Sequence, residues 1–91
     1  MSFYVYILEC AGGSLYTGHT DDVDARLAAH RDGTFKGYTS SRRPLRLIFH
    51  EGFATRDEAF AAERRVKGWS RAKKLALARG DWREVERLAR I

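Results

Sequence analysis

The stretch Phe3-Tyr4-Val5-Tyr6-Ile7-Leu8-Glu9-Cys10-Ala11-Gly12-Gly13-Ser14-Leu15-Tyr16-Thr17-Gly18 decides the architecture. Phe3 to Leu8 is a short run of aromatic and aliphatic residues, the composition of a buried strand. Ala11-Gly12-Gly13 breaks the run and Ser14 to Gly18 resumes strand chemistry. The pair reads as a β-hairpin with a connection longer than two residues. Downstream, Asp21 or Asp22 can cap a helix whose stripe is Val23, Arg26, Leu27 and His30, ending near Gly33. Residues 33–44 have no period and the composition of a loop. Leu45 to Phe49 is a third strand candidate. Thr55-Arg56-Asp57-Glu58 fits a capping box before a stripe of Ala59, Ala62, Glu63 and Val66. Ser70 opens another helix through Ala78, with Gly80 as its stop. Asp81 opens a last one, given an apolar face by Trp82, Val85, Leu88 and Ala89. The expected fold is α+β: a small three-stranded antiparallel β-sheet flanked by α-helices.

The chain of 91 residues is 44 % apolar and 32 % charged, so it is globular and sized for one domain over residues 1–91. One cysteine, Cys10, rules out an internal disulfide and a Cys-rich zinc module. No apolar run approaches the ~20 residues of a membrane span, and the first residues lack signal-peptide chemistry. A cytoplasmic protein without membrane contact is the expectation. The net charge of +5 lies wholly in residues 45–91, and seven basic residues with no acid run from Arg64 to Arg79. Such a field suits a polyanion such as nucleic acid, or simply solvates helix faces. The chain has neither Asn nor Gln, the usual bidentate readers of adenine edges, so it is poorly equipped to read sequence.

Two positions interrupt their own apolar stripes. Arg26 and His30 share one helix face with Val23 and Leu27. Glu63 lies at the edge of the Ala59-Ala62-Val66 face, where a carboxylate is costly without a cation or several donors. Read blandly, Glu63 pairs with an Arg or with Lys67, and His30 is a helix-end histidine favoured by the dipole. The tyrosines alone read as strand packing. Tyr6, Tyr16-Thr17-Gly18, Arg26 with His30, and Glu63, in that order and spacing, resemble the GIY-YIG nuclease family. Tyr4-Val5-Tyr6 stands where the family has Gly-Ile-Tyr, and Tyr16-Thr17-Gly18 where it has Tyr-Ile-Gly. The resemblance covers a core of about 3–74, leaving a C-terminal helix of about 81–91. Lys36-Gly37-Tyr38-Thr39 and Arg42-Arg43-Pro44 are like those of the small standalone bacterial branch.

The resemblance implies phosphodiester hydrolysis with one divalent cation, Mg²⁺ or Mn²⁺, bound by Glu63 as the one protein ligand. It implies catalytic roles for Tyr6, Tyr16, Arg26 and His30. Arg26 would hold the non-bridging phosphate oxygens. Tyr16 would orient the water or a phosphate oxygen. Tyr6 is the candidate general base toward water, its pKa drawn down from about 10 by nearby cations. His30 is the alternative base, or a relay for Tyr6. Lys36, Tyr38, Arg42, Arg43 and Lys67 would contact nucleic acid, with Tyr38 able to stack on an unpaired base. The implied partner is branched, nicked or damaged DNA, with RNA left open, in DNA repair or recombination. With no attached DNA-binding domain expected, either affinity for free DNA is low or a separate protein partner supplies targeting.

The sequence departs from the family pattern in three respects. Tyr4 stands for the first glycine, the family's late Asn has no counterpart, and no DNA-binding domain or zinc-binding region is expected beside the core. Two readings compete with the nuclease. One is a catalytically weak or inactive nucleic-acid-binding module, which would have no use for Glu63 on an inner face. The other is a protein adaptor docking through the last helix.

Overall fold

The computed structural model describes residues 2–34 and 37–89. Three strands, β1 (Phe3–Glu9), β2 (Leu15–Thr20) and β3 (Arg46–Phe53), form an antiparallel sheet in the order β2-β1-β3. The hairpin is as expected: a single 3₁₀ turn at Ala11–Gly13 joins β1 to β2, with Gly12 at φ 86° and Gly13 at φ 92°, which only glycine adopts without strain. Four helices follow the scheme α1 (Val23–Asp32), α2 (Arg56–Lys67), α3 (Arg71–Ala78) and α4 (Trp82–Ala89).

The local signals act as read. The Asp22 carboxylate accepts from the Ala25 N–H at the start of α1, and Gly33 ends that helix in the left-handed region at φ 82°. Thr55 and Glu58 make a reciprocal capping box on α2. Ser70 accepts from the Lys73 N–H to open α3. Asp81 Oδ1 accepts from the Glu84 N–H to open α4.

β1 is central and buried on both faces, which is why Val5-Tyr6-Ile7-Leu8 is apolar without alternation. On one face Ile7 packs with Val66, Ala76, Leu77 and Val85 beneath α2, α3 and α4. On the other, Tyr6 and Leu8 pack with Cys10 and Leu45, against Leu27 of α1 and Tyr16 of β2. β2 is therefore an edge strand with a helix layer on either side.

Two expectations need correction. The third strand was expected over Leu45–Phe49, but it runs from Arg46 to Phe53, because the ladder to β1 continues through Tyr4↔Gly52 to Phe3↔Phe53. Pairing with a buried central strand outweighs the weak propensity of Glu51 and Gly52. The apolar face expected of the last helix is only partly covered, since its Trp82 is 59 % exposed. Val85 is the residue of α4 that enters the core. Since Val85 shares a cluster with Ile7, deleting residues 81–91 is expected to lower the unfolding free energy by about 2–5 kcal/mol, the scale of losing one core side chain. Urea denaturation measures it, and an unchanged midpoint would place α4 outside the core.

Candidate active site

β1 and β2 pair so that Tyr6 lies opposite Gly18 and Leu8 opposite Tyr16. Tyr6, Tyr16 and Gly18 consequently share the α1 face of the sheet. The phenol of Tyr6 lies directly over Gly18. A Cβ at that position would fall 2.5 Å from the Tyr6 hydroxyl and 2.7 Å from its ring. Glycine is required at position 18 by this close approach and not by backbone conformation.

With that space available, Tyr6 turns its hydroxyl into α1. Tyr6 Oη and His30 Nε2 are 2.9 Å apart, and His30 Nδ1 is 2.6 Å from Thr39 Oγ1. All three residues are buried, His30 and Thr39 completely. His30 is thus an internal link in a hydrogen-bonded chain and not a dipole-stabilised surface histidine. The Tyr16 ring closes the cluster, 6.2 Å from Tyr6 and 5.3 Å from His30. Arg26, one helical turn before His30, hydrogen-bonds Tyr6 through its side chain and acts on the charge of both phenols. Thr39 was missed as a site residue by sequence reading, since an isolated Thr in a loop carries no periodic signal.

Burial, followed by the neighbouring Tyr16, pushes the Tyr6 phenol well above its ordinary value, and Arg26 offsets only part of this. Arg26 draws the Tyr6 phenol down as expected, but desolvation outweighs the guanidinium, and the net direction is upward. Tyr16 is raised as well, by burial and then by the Glu63 charge. His30 is lowered, by burial and then by Arg26, so its imidazole is neutral at neutral pH.

Glu63 stands on the other side of β2. Its α2 position is 7 % exposed, and its carboxylate is bonded by His19, whose Nδ1 lies 3.0 Å from Oε1. Lys67 Nζ is 3.7 Å from Oε2, so the pairing offered by the sequence alone does form. A carboxylate has about four acceptor positions, so these two contacts leave it capacity for a cation. Among the described residues no group of three or more His, Cys, Asp or Glu side chains comes together. The donor set fits a hard divalent ion held mainly by water and phosphate oxygens. His19 was missed as well: it neighbours the motif in sequence, but its partner is 44 positions away.

The loop residues divide. Tyr38 stacks on Tyr16 at 6.2 Å and 24°, and Arg42 lies over the Tyr38 ring at 3.8 Å, an exposed stack continuing the cluster outward. Arg43 instead donates to the Arg31 carbonyl at 3.2 Å, near the C-terminus of α1. Lys36 lies outside the described residues.

Known proteins carry the same pattern. The model of the GIY-YIG catalytic domain matches residues 2–76. A UPF0213 protein of Bacillus pumilus is 51 % identical over 71 residues, covering 78 % of this chain and 72 % of that one. A UPF0213 protein of Staphylococcus saprophyticus is 45 % identical over 74 residues, covering 81 % and 90 %. The solution structure of a UPF0213 protein from Bacillus halodurans is similar with a TM-score of 0.54 and 48 % identity, covering 85 % of this chain and 82 % of that one. A second solution structure, of a protein from E. faecalis, has a TM-score of 0.57 and 42 % identity, covering 81 % and 79 %.

Two predictions follow from the buried chain. Below the ordinary His value of 6.5 the unfolded chain takes up a proton that folded His30 refuses, so stability falls as pH drops through that value. Above the ordinary Tyr value of 10.0 the unfolded chain releases a proton that folded Tyr6 keeps, so stability falls as pH rises further. Urea unfolding across pH should show a plateau between these limits, with each group contributing a slope of at most about 1.4 kcal/mol per pH unit outside it. The alkaline slope should shrink in Tyr6→Phe, and an equal slope would remove Tyr6 as its source. Separately, Gly18→Ala should cost about 1–3 kcal/mol through overpacking. In a Tyr6→Leu background most of that cost should vanish, since the clashing ring is gone; strict additivity would show that Gly18 matters for another reason.

Its motif residues, fold and relatives agree, and the chain belongs to the GIY-YIG nuclease family.

Proposed function

We propose that this protein is a divalent-metal-dependent endonuclease that hydrolyses phosphodiester bonds in DNA, selecting by structure and not by sequence, in DNA repair or recombination. The observation that carries the reading is the buried Tyr6–His30–Thr39 chain on one side of β2, with the Glu63 carboxylate on the other.

A phenol with a raised pKa does not rest as phenolate at neutral pH, so simple abstraction of a proton by Tyr6 is disfavoured. The hydrogen-bonded chain supplies a route around this. With Nδ1–H donating to Thr39 Oγ1, the Nε2 lone pair of neutral His30 accepts the Tyr6 hydroxyl proton. Tyr6 Oη can then take a proton from the attacking water as its own proton passes to Nε2. The hydroxide forms its bond to phosphorus as the bond to the leaving oxygen breaks. The imidazolium that results keeps its Thr39 contact. On this reading Tyr6 is the group that meets the water and His30 is the proton's destination, which combines the two roles left open by the sequence.

Arg26 would present its planar guanidinium to the non-bridging oxygens, and Tyr16 would orient the water or one of those oxygens. A divalent cation bound through Glu63 would supply neutralisation of the leaving oxygen. The Arg42–Tyr38–Tyr16 stack gives an exposed aromatic platform beside the cluster, suited to an unpaired base. Lys67, Arg42 and Lys36 are proposed phosphate contacts, which position the substrate without reading its sequence. Arg43 belongs to the same set: its guanidinium donates to the Arg31 carbonyl as that of Arg42 donates to the Tyr38 carbonyl, and each keeps further N–H donors for phosphate. With no Asn or Gln in the chain, bidentate adenine readout is unsupported.

Cleavage of labelled duplex, flap, splayed-arm and four-way-junction DNA in Mg²⁺ or Mn²⁺ tests the reading. Glu63→Ala should abolish cutting and Tyr6→Phe should nearly do so. Arg26→Ala should cost about 10²–10³ in rate, the scale of losing one preorganised donor. Each variant is checked for folding by circular dichroism. A folded wild type that binds DNA in a salt-sensitive manner but cuts none of these substrates would instead make it a binding module.

A further inference from the structure

His19 projects from the α2 face of edge strand β2, and its Nδ1 lies 3.0 Å from Glu63 Oε1. The Phe60 ring tilts against the imidazole at 5.2 Å. Glu63 is almost wholly enclosed, whereas the His19 side chain is 27 % exposed, so the pair opens to solvent on the histidine side. Lys67, the other neighbour of the carboxylate, is 56 % exposed along its side chain and can swing away without uncovering core.

The gap between the two atoms has a second meaning besides a hydrogen bond. Two adjacent ligands of an octahedral ion, each at about 2.1 Å, are about 3.0 Å apart. An imidazole nitrogen and a carboxylate oxygen on one ion form a mixed donor pair. Mg²⁺ takes oxygen donors, while imidazole favours first-row transition ions. Resting on the reading of Glu63 as a cation ligand, we propose that His19 is a second protein ligand, and that the site takes Mn²⁺ or Co²⁺ in preference to Mg²⁺. Among the described residues no third acidic, histidine or cysteine side chain joins the pair, so water and phosphate oxygens complete the shell.

The test is calorimetric titration of the metal-free protein with MgCl₂, MnCl₂ and CoCl₂, with no nucleic acid present. The wild type should bind Mn²⁺ and Co²⁺ at least about tenfold more tightly than Mg²⁺, and His19→Ala should collapse that ratio to under about threefold. His19→Gln keeps a hydrogen-bond donor toward Glu63 but no imidazole, and it should lose the preference too. Glu63→Gln should weaken all three ions. If His19→Gln preserves the preference, or His19→Ala weakens all three ions alike, His19 only positions Glu63 and the proposal falls. It falls as well if the wild type shows no saturable binding, or if tight Co²⁺ binding survives both His19→Ala and Glu63→Gln, which would assign it to exposed His50. Circular dichroism confirms that each variant folds, and His19→Gln decides the matter if His19→Ala does not. Because no cleavage is measured, failure of the nuclease reading leaves this outcome legible.

Discussion

The placement of Tyr6 over the bare backbone of Gly18 is the constraint on which the candidate site depends. A central strand buried on both faces leaves little room for a phenol, and the missing Cβ at position 18 creates it. The ring passes above the edge strand and delivers its hydroxyl to His30 on α1. His30 is in turn held by Thr39 from the loop before β3. One absent methyl group thus links two strands, a helix and a loop, and the polar groups so buried are satisfied by one another, as a dry interior demands.

The same burial sets the chemistry. Removing water from Tyr6 and His30 disfavours the charged form of each, raising the phenol and lowering the imidazole. In the proposed mechanism, two neutral groups in line pass a proton along without either resting as an ion, so that a tyrosine with an unfavourable pKa serves at neutral pH. Glu63 is treated differently. Its partners, His19 and Lys67, are both more exposed than the carboxylate they serve. Its side of β2 is suited to positive charge, and the Tyr6 side to proton movement. The edge strand separates the two while leaving the Glu63 charge close enough to act on both tyrosines.

The helices reflect a division of labour along the chain. α1 contributes Arg26 and His30 to the cluster and only Leu27 to the adjoining core. α3 and α4 contribute core residues beneath the opposite face, and α2 supplies both core and Glu63. The basic surplus of residues 45–91 consequently lies on the elements that cover the Glu63 side, where it favours approach of a polyanion. The exposed Trp82 on α4 has no evident role in either half.

The sequence by itself determined the order of elements, their caps and the residues that break their stripes, because these depend on local spacing. The hairpin, the Thr55 capping box, the paired Arg26 and His30, and the inward Glu63 were all legible in this way. The full length of β3 was not, since its last residues are strand only through pairing with β1. Nor were Thr39 and His19, whose partners lie 9 and 44 positions distant and meet them only when the loop and α2 dock on the sheet. The net direction of the Tyr6 shift is not legible either, for the same reason. Sequence displays the cations near a tyrosine but not the water that folding removes, and in this site the loss of water is the larger effect.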